Sequence, residues 1–519
     1  MQAQVVRGRR GAVSSGHHLA SFEAARILRQ GGNAVDAAVT AASVLAVVLP
    51  HACGLGSDAF LLIYEAASQR VHALNASGQS PQGADVARFA RGIPRHGLAA
   101  ATVPGMVSGW QAALRRFGTR SLREVLEPAI GYAAEGFPVH DKLAQIFADM
   151  APALEQDAGA REVFLPQGKP PAAGEILRQP DLAASLRRLA DKGSEAFYRG
   201  DLARRLVAHS REHGGLFTEE DLARHEPIWQ EPLRASFCGS EVLTMPPNSY
   251  GLTLLLQLLA LEAGGIAACD PDGAAFLRLG MAAREQAYRS GAPAIADPTV
   301  GEPAARELLA GLLKGVKVPP SGGRAGDGRA GGAAEGTDTS NVLVMDAQGN
   351  AVSLIQSVFH PFGCCVVPRA TGVVLNNRML GFRLEEGHPN RLAPGKRPAH
   401  TLTPVMVLRD GRPSMVCGTP GGPGQTATLA QFLTRLLAYG QPLGEAASAP
   451  RWSVAPGGGF VIEESVAPQV LAELQKADPT LKAAPAGGQP FGSLKAVQRE
   501  GAGFIAVADF RRDAAAAAL

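Results

Sequence analysis

The tripeptide Asp338-Thr339-Ser340 stands where the chain changes character. Before it runs Val318 to Gly336, rich in glycine, alanine and proline, and after it comes the apolar run Val342-Leu343-Val344-Met345. The first tract has too little apolar surface to pack a core and predicts a mobile loop. The second, followed by the turn signal Gln348-Gly349-Asn350 and a further run from Ala351 to Ile355, predicts a hairpin. A threonine heading a buried strand, behind a loop that can be discarded, suits one kind of chemistry. Cleavage of the Asp338–Thr339 bond would give Thr339 a free α-amino group. Such a group has a pKa of about 7.7–8.0, so a useful fraction is neutral near neutral pH and can take the hydroxyl proton. One residue then supplies both nucleophile and base, and its β-branched side chain is stiff at χ1. The plain alternative is a threonine that only starts a strand.

Gly421-Gly422 follow the strand-like run Pro413-Ser414-Met415-Val416-Cys417 and precede a helical stretch from Thr426 to Leu437. Glycines at a strand end let backbone N–H groups approach a ligand with no Cβ in the way, as an oxyanion site requires. An ordinary turn before a helix is the other reading. The histidines His17, His18, His51, His96 and His140 are scattered, with no His-x-x-x-His pair beside a carboxylate, so they read as structural or surface groups and no metal is expected. Gly54-Leu55-Gly56-Ser57-Asp58 lacks the lysine of a phosphate-binding loop and the order of a dinucleotide site. It reads as a glycine turn needed for close packing, and no cofactor is expected.

The elements that must position these residues are partly legible. Ala34 to Leu49 is apolar and alanine-rich, too short to span a bilayer, and reads as a buried helix started near Asn33. Ala20 to Leu28 has helical periodicity and Ala59-Phe60-Leu61-Leu62-Ile63-Tyr64 has strand composition. Residues 96 to 300 are expected to be largely helical, with amphipathic stretches at Leu122 to Ile130 and Leu182 to Ala190 and a helix start at Thr218-Glu219-Glu220-Asp221. After Thr339, strands and tight turns predominate. A chain of 519 residues with even composition suits one large layered α/β unit. Its net charge of +3, with no run of basic residues, argues against nucleic acid and points to small-molecule partners. Met1 to Arg10 carries three arginines but no apolar stretch of signal-peptide type follows, and six scattered cysteines read mostly as core thiols, so a cytoplasmic location is expected.

Seven segments occur in register with the Asp338-Thr339-Ser340 junction. They are Gly31-Gly32-Asn33-Ala34-Val35-Asp36-Ala37-Ala38, Val103-Pro104-Gly105, Glu135-Gly136-Phe137-Pro138-Val139, Gln179-Pro180-Asp181-Leu182, Met245-Pro246-Pro247, Lys396-Arg397-Pro398 and Gly418-Thr419-Pro420-Gly421-Gly422. Together they resemble the γ-glutamyltransferase family of N-terminal nucleophile hydrolases, and the resemblance extends over nearly the whole chain. The resemblance implies an α+β fold, a four-layer αββα sandwich. It also implies self-cleavage between Asp338 and Thr339 into a large subunit, 1–338, and a small subunit, 339–519, intertwined in one domain. Thr339 would be the nucleophile, Ser357 a second hydroxyl bonded to it, and Gly421 and Gly422 the oxyanion pair.

The substrate pocket departs from that pattern. Where the family has an arginine for the γ-glutamyl α-carboxylate, Asn75-Ala76-Ser77-Gly78 puts Ser77. Leu375-Asn376-Asn377-Arg378-Met379-Leu380-Gly381 keeps the two asparagines but has Arg378 and Gly381 where the family faces the substrate ammonium. His400-Thr401 replaces two serines. Arg378, Asn377, His400 and Thr401 are therefore the expected substrate-binding residues, with a surface role for Arg378 left open. An arginine fork favours a substrate carboxylate, because bidentate pairing supplies both charge and orientation. The expected function is hydrolysis of a small anionic amide such as oxamate. Acyl transfer is a further activity open to such an amidohydrolase, and a γ-glutamyltransferase or glutathione hydrolase, a dicarboxylic acylase, and a member that does not process itself and only binds are the alternatives. The expected partners are the amide substrate and the two halves of the precursor, which could pair again as a dimer.

Overall fold

The computed structural model describes residues 2–313, 338–455 and 458–519. The tract Val318 to Gly336, expected to be a loop, lies outside the described residues.

Two seven-stranded antiparallel sheets carry the architecture. In the first, the strand Asp338–Asp346 sits between Gly11–Ser15 and Ala351–Phe359, and Ala351–Phe359 pairs in turn with Asp58–Glu65. The predicted hairpin is thus present. Its turn is fixed by Asp346, whose carboxylate accepts from the Asn350 backbone N–H at 2.9 Å and from Asn350 Nδ2 at 2.8 Å. Alternate residues of Asp338–Asp346 pack into different cores. Val342 and Val344 join the layer against the helices, while Leu343 and Met345 join the layer between the sheets. A strand buried on both faces reads as a continuous apolar run, which is why periodicity alone could not orient it.

The second sheet runs from Gln4–Gly8 at one edge to Leu233–Phe237 at the other, with Lys495–Glu500 and Arg412–Gly418 adjacent near its middle. Helices Ala34–Val48, Met106–Phe117, Leu122–Glu135 and Pro180–Lys192 cover the outer face of the first sheet. Helices Gly251–Ala263, Ala274–Gly291 and Gln425–Leu437 cover the second. The result is the helix, sheet, sheet, helix sandwich of the α+β class, and both sheets draw strands from before and after Thr339.

The helix Ala34–Val48 is buried along its whole length and starts where expected. The Asn33 side chain accepts from the Val35 and Asp36 N–H groups, and Asp36 returns a bond to the Asn33 N–H. Asp346, at the far end of the Thr339 strand, accepts from the Ala34 N–H at 2.8 Å. A carboxylate at a helix N-terminus is favoured by the exposed N–H groups and the helix dipole, so this contact locks the strand to the helix layer. Gly56 is the close-packing glycine of its turn, since a Cβ there would collide with the Val374 carbonyl. No helix among the described residues is long and apolar enough to cross a membrane.

Candidate active site

Thr339 lies at the head of its strand, in a break of register. Asp338 pairs with Phe359 and Ser340 with Gln356, so Thr339 alone faces Ser357 and Val358. Such bulges re-aim a side chain out of the regular pleat. Thr339 is 7% exposed and, with Ser340 and Pro420, lines a cavity of about 260 Å³. Ser357 is buried, and its hydroxyl accepts from the Phe359 N–H at 2.8 Å. Gly421 and Gly422 follow the strand Arg412–Gly418 with φ of +126° and +51°. Both values lie in the region open to glycine, so side chains there would be strained. Pro420, one residue before the pair, reaches the same cavity as Thr339.

Arg378 is buried, which excludes the surface role. Its loop is stitched to the strand opposite Thr339, because the Asn377 N–H donates to the Val358 carbonyl at 3.1 Å. The guanidinium stacks 4.4 Å from the Phe359 ring centroid, and its Nε lies 3.8 Å from Asp58 Oδ2. That distance gives attraction without a hydrogen bond. Nε and Nη2 have no hydrogen-bond partner among the described residues. Burial pulls the guanidinium down to about 9 against the opposing pull of Asp58, which leaves it charged at neutral pH.

His400 is joined to Arg378 through the same carboxylate, with Nε2 3.0 Å from Asp58 Oδ2. The Gly78 N–H donates to the other oxygen at 2.8 Å. Burial first, and then the charge of Arg378, hold His400 at about 4, so the ring is neutral. A carboxylate beside Nε2 fixes the proton there and leaves Nδ1 as a buried acceptor, also without a partner among the described residues. Asn377 is differently engaged. Its Nδ2 donates to the Arg95 carbonyl and faces His360 Nδ1, and its Oδ1 accepts from the His360 N–H. Thr401 is buried beside His400. Neither Arg378 nor His400 lines the Thr339 cavity. Among the described residues, no group of three or more His, Cys, Asp or Glu is placed to hold a metal ion.

The Gamma-glutamyltranspeptidase family model matches residues 20–519. The chain belongs to that family. It is therefore an N-terminal nucleophile hydrolase, an enzyme that cleaves amides. Among its relatives is the glutathione hydrolase-like YwrD proenzyme of Bacillus subtilis, 38% identical over 457 residues, 86% of this chain and 85% of that one. Another is the oxamate amidohydrolase proenzyme of Klebsiella pneumoniae, 37% identical over 482 residues, 89% of each chain. A cephalosporin acylase from Bacillus halodurans has a similar structure, with a TM-score of 0.88 at 30% identity over 99% of this chain and 97% of that one.

Sequence reasoning missed two groups. Asp58 read as part of a packing turn, yet it is the carboxylate that ties Arg378 to His400. The available signal was an acid set directly before the apolar run Ala59 to Tyr64 of the strand Asp58–Glu65. Lys495 was not singled out, because with Arg499 and Glu500 on the same strand it read as one charge among several, yet it lines the Thr339 cavity.

Proposed function

We propose that the chain cleaves itself between Asp338 and Thr339, and that the freed Thr339 hydrolyses a small anionic amide, with oxamate as the leading candidate. The carrying observation is the placement of Thr339, which sits in a strand-end bulge lining a small cavity beside the Pro420-Gly421-Gly422 turn. In this reading the Thr339 α-amino group takes the hydroxyl proton and Oγ attacks the amide carbon. The oxygen that becomes negative is held by backbone N–H groups of Gly421 and Gly422, and Ser357 steadies the nucleophile. The collapsing intermediate expels the amine, which picks up the proton, and water then releases the acid from the acyl-enzyme.

Two open donors on a buried guanidinium support a substrate carboxylate next to the scissile amide, with Arg378 as the fork. His400, neutral and aimed by Asp58, offers an acceptor alongside it. We assign Asn377 to holding the Arg378 loop, because most of its hydrogen-bonding capacity is already used, and Thr401 to the wall beside His400. A cavity of about 260 Å³ lies just under the usual range for drug-sized ligands, which supports a small substrate. That volume is also generous for oxamate, and it favours a dicarboxylic acyl group as the second reading.

The test is a screen of the purified enzyme over oxamate, glutaryl amides and γ-glutamyl amides. Faster cleavage of the first or second class supports the proposal. Efficient γ-glutamyl transfer would overturn the inference about substrate charge while leaving Thr339 as nucleophile.

A further inference from the structure

One residue ties the head of the Thr339 strand to the Arg378 cluster. Phe359 closes the strand Ala351–Phe359, is 4% exposed, and has a φ of +87°. For a bulky L-residue that backbone conformation is strained, and it persists only where the surroundings hold it in place. Here the site does the holding. In the sheet register Phe359 is the partner of Asp338, the residue before Thr339. Its N–H donates to Ser357 Oγ at 2.8 Å. Its ring centroid lies 4.4 Å from the Arg378 guanidinium carbon.

Glycine would take this φ freely, so the backbone alone gives no reason for an aromatic side chain here. The reason lies in how the ring meets the guanidinium. A guanidinium is planar, with its N–H donors around the edge and a flat face that stacks on an aromatic ring. Stacking therefore leaves the donors open. Nε and Nη2, which have no hydrogen-bond partner among the described residues, lie along one edge and match the two oxygens of a carboxylate. Asp58 Oδ2 comes within 3.8 Å of Nε, but the Asp58 oxygens are engaged by His400 and the Gly78 N–H, so Asp58 does not close the fork. The ring is itself pinned. The His360 ring stands 4.5 Å from it, and the His360 N–H donates to Asn377 Oδ1 at 3.1 Å, on the loop that carries Arg378.

We infer that Phe359 is a positioning residue: its ring sets the plane of the Arg378 fork and its strained backbone ties that fork to the head of the Thr339 strand, so that a substrate carboxylate beside the scissile amide is held in one orientation. The inference rests on Arg378 being the carboxylate fork, as proposed above.

The experiment measures kcat/KM for oxamate and for its neutral counterpart pyruvamide, and follows their ratio. Phe359→Leu keeps an apolar side chain but removes the flat face. The oxamate-to-pyruvamide ratio should then fall by roughly 2- to 30-fold, the range that a cation–π contact spans from exposed to desolvated settings. Most of that loss should appear in KM for oxamate, because the contact serves binding. Phe359→Tyr keeps the face and should keep most of the ratio. Placing 3,4,5-trifluorophenylalanine at position 359 preserves the ring's shape while drawing charge from its face, and should lower the ratio in the same direction. An unchanged ratio in Phe359→Leu overturns the inference, since a merely structural ring would depress both substrates alike. If the leucine chain does not fold, the trifluorinated protein decides in the same way, with an unchanged ratio again overturning it. An unmodified enzyme that does not prefer oxamate to pyruvamide would remove the fork and this inference together. A strong preference that survives Phe359→Leu would remove this inference alone.

Discussion

Replacing Arg378 by methionine separates a binding role from a structural one. The side chain keeps its packing on Phe359 but loses the charge and the two open donors. A substrate carboxylate that loses a charged hydrogen bond loses about 1.5–3 kcal/mol, so kcat/KM for oxamate should fall roughly 10- to 150-fold. Pyruvamide, a neutral amide of similar size, should change little. Asp58 still has the Gly78 N–H and His400, so the variant should remain folded. Asp58→Asn is the harsher change, because it leaves a buried guanidinium without its counter-ion. Breaking a buried pair this way costs about 3–5 kcal/mol, with the lower end expected here because the 3.8 Å contact is not a hydrogen bond. The double variant Asp58→Asn/Arg378→Met should recover part of that loss. Ammonia release measures activity and urea unfolding measures stability. Equal loss on oxamate and pyruvamide would show that Arg378 is structural and would refute the reasoning about substrate charge.

Three further outcomes are expected. Gly422→Val puts a branched side chain at φ +51° in the proposed oxyanion turn and should lower kcat by about 10²-fold or more, whereas unaltered kcat would make the turn merely structural. Gly56→Ala places a methyl against the Val374 carbonyl and should destabilise the fold by about 1–3 kcal/mol, so an unchanged urea midpoint would contradict the close-packing argument. Burial holds His17, His225 and His360 at about 3 and His400 at about 4. Unfolded, each takes its proton near about pH 6.5, so the unfolded chain binds more protons below that pH. Stability is then full above about pH 6.5 and falls as pH drops toward those values, by up to about 1.4 kcal/mol per pH unit for each group. Identical urea midpoints at pH 7.5 and pH 5 would contradict this.

What could be read from the sequence was local. The Asn33 helix start, the hairpin after Thr339 and the packing turn at Gly54-Leu55-Gly56 each follow from a few neighbouring residues whose chemistry has one good use. The Arg378 environment was only half legible. The sequence announced an unusual arginine, but its counter-ion Asp58 lies far away in the chain and meets it only because Ala351–Phe359 pairs with Asp58–Glu65. Lys495 was silent for the same reason, being brought to Thr339 by the stacking of one sheet on the other. Long-range sheet order depends on which buried strands pair, and strands apolar on both faces carry little information about that.

The central claim is that Thr339 becomes an N-terminus and then the nucleophile. Intact-mass analysis with N-terminal sequencing of the purified protein tests it most directly. Cleavage after Asp338 should give chains of 338 and 181 residues (519 minus 338), the smaller beginning at Thr339. Thr339→Ala should remain one uncut, inactive chain, and Thr339→Ser should retain partial cutting and activity. An unmodified protein that stays full-length after prolonged incubation, or a Thr339→Ala chain still cut after Asp338, would contradict it.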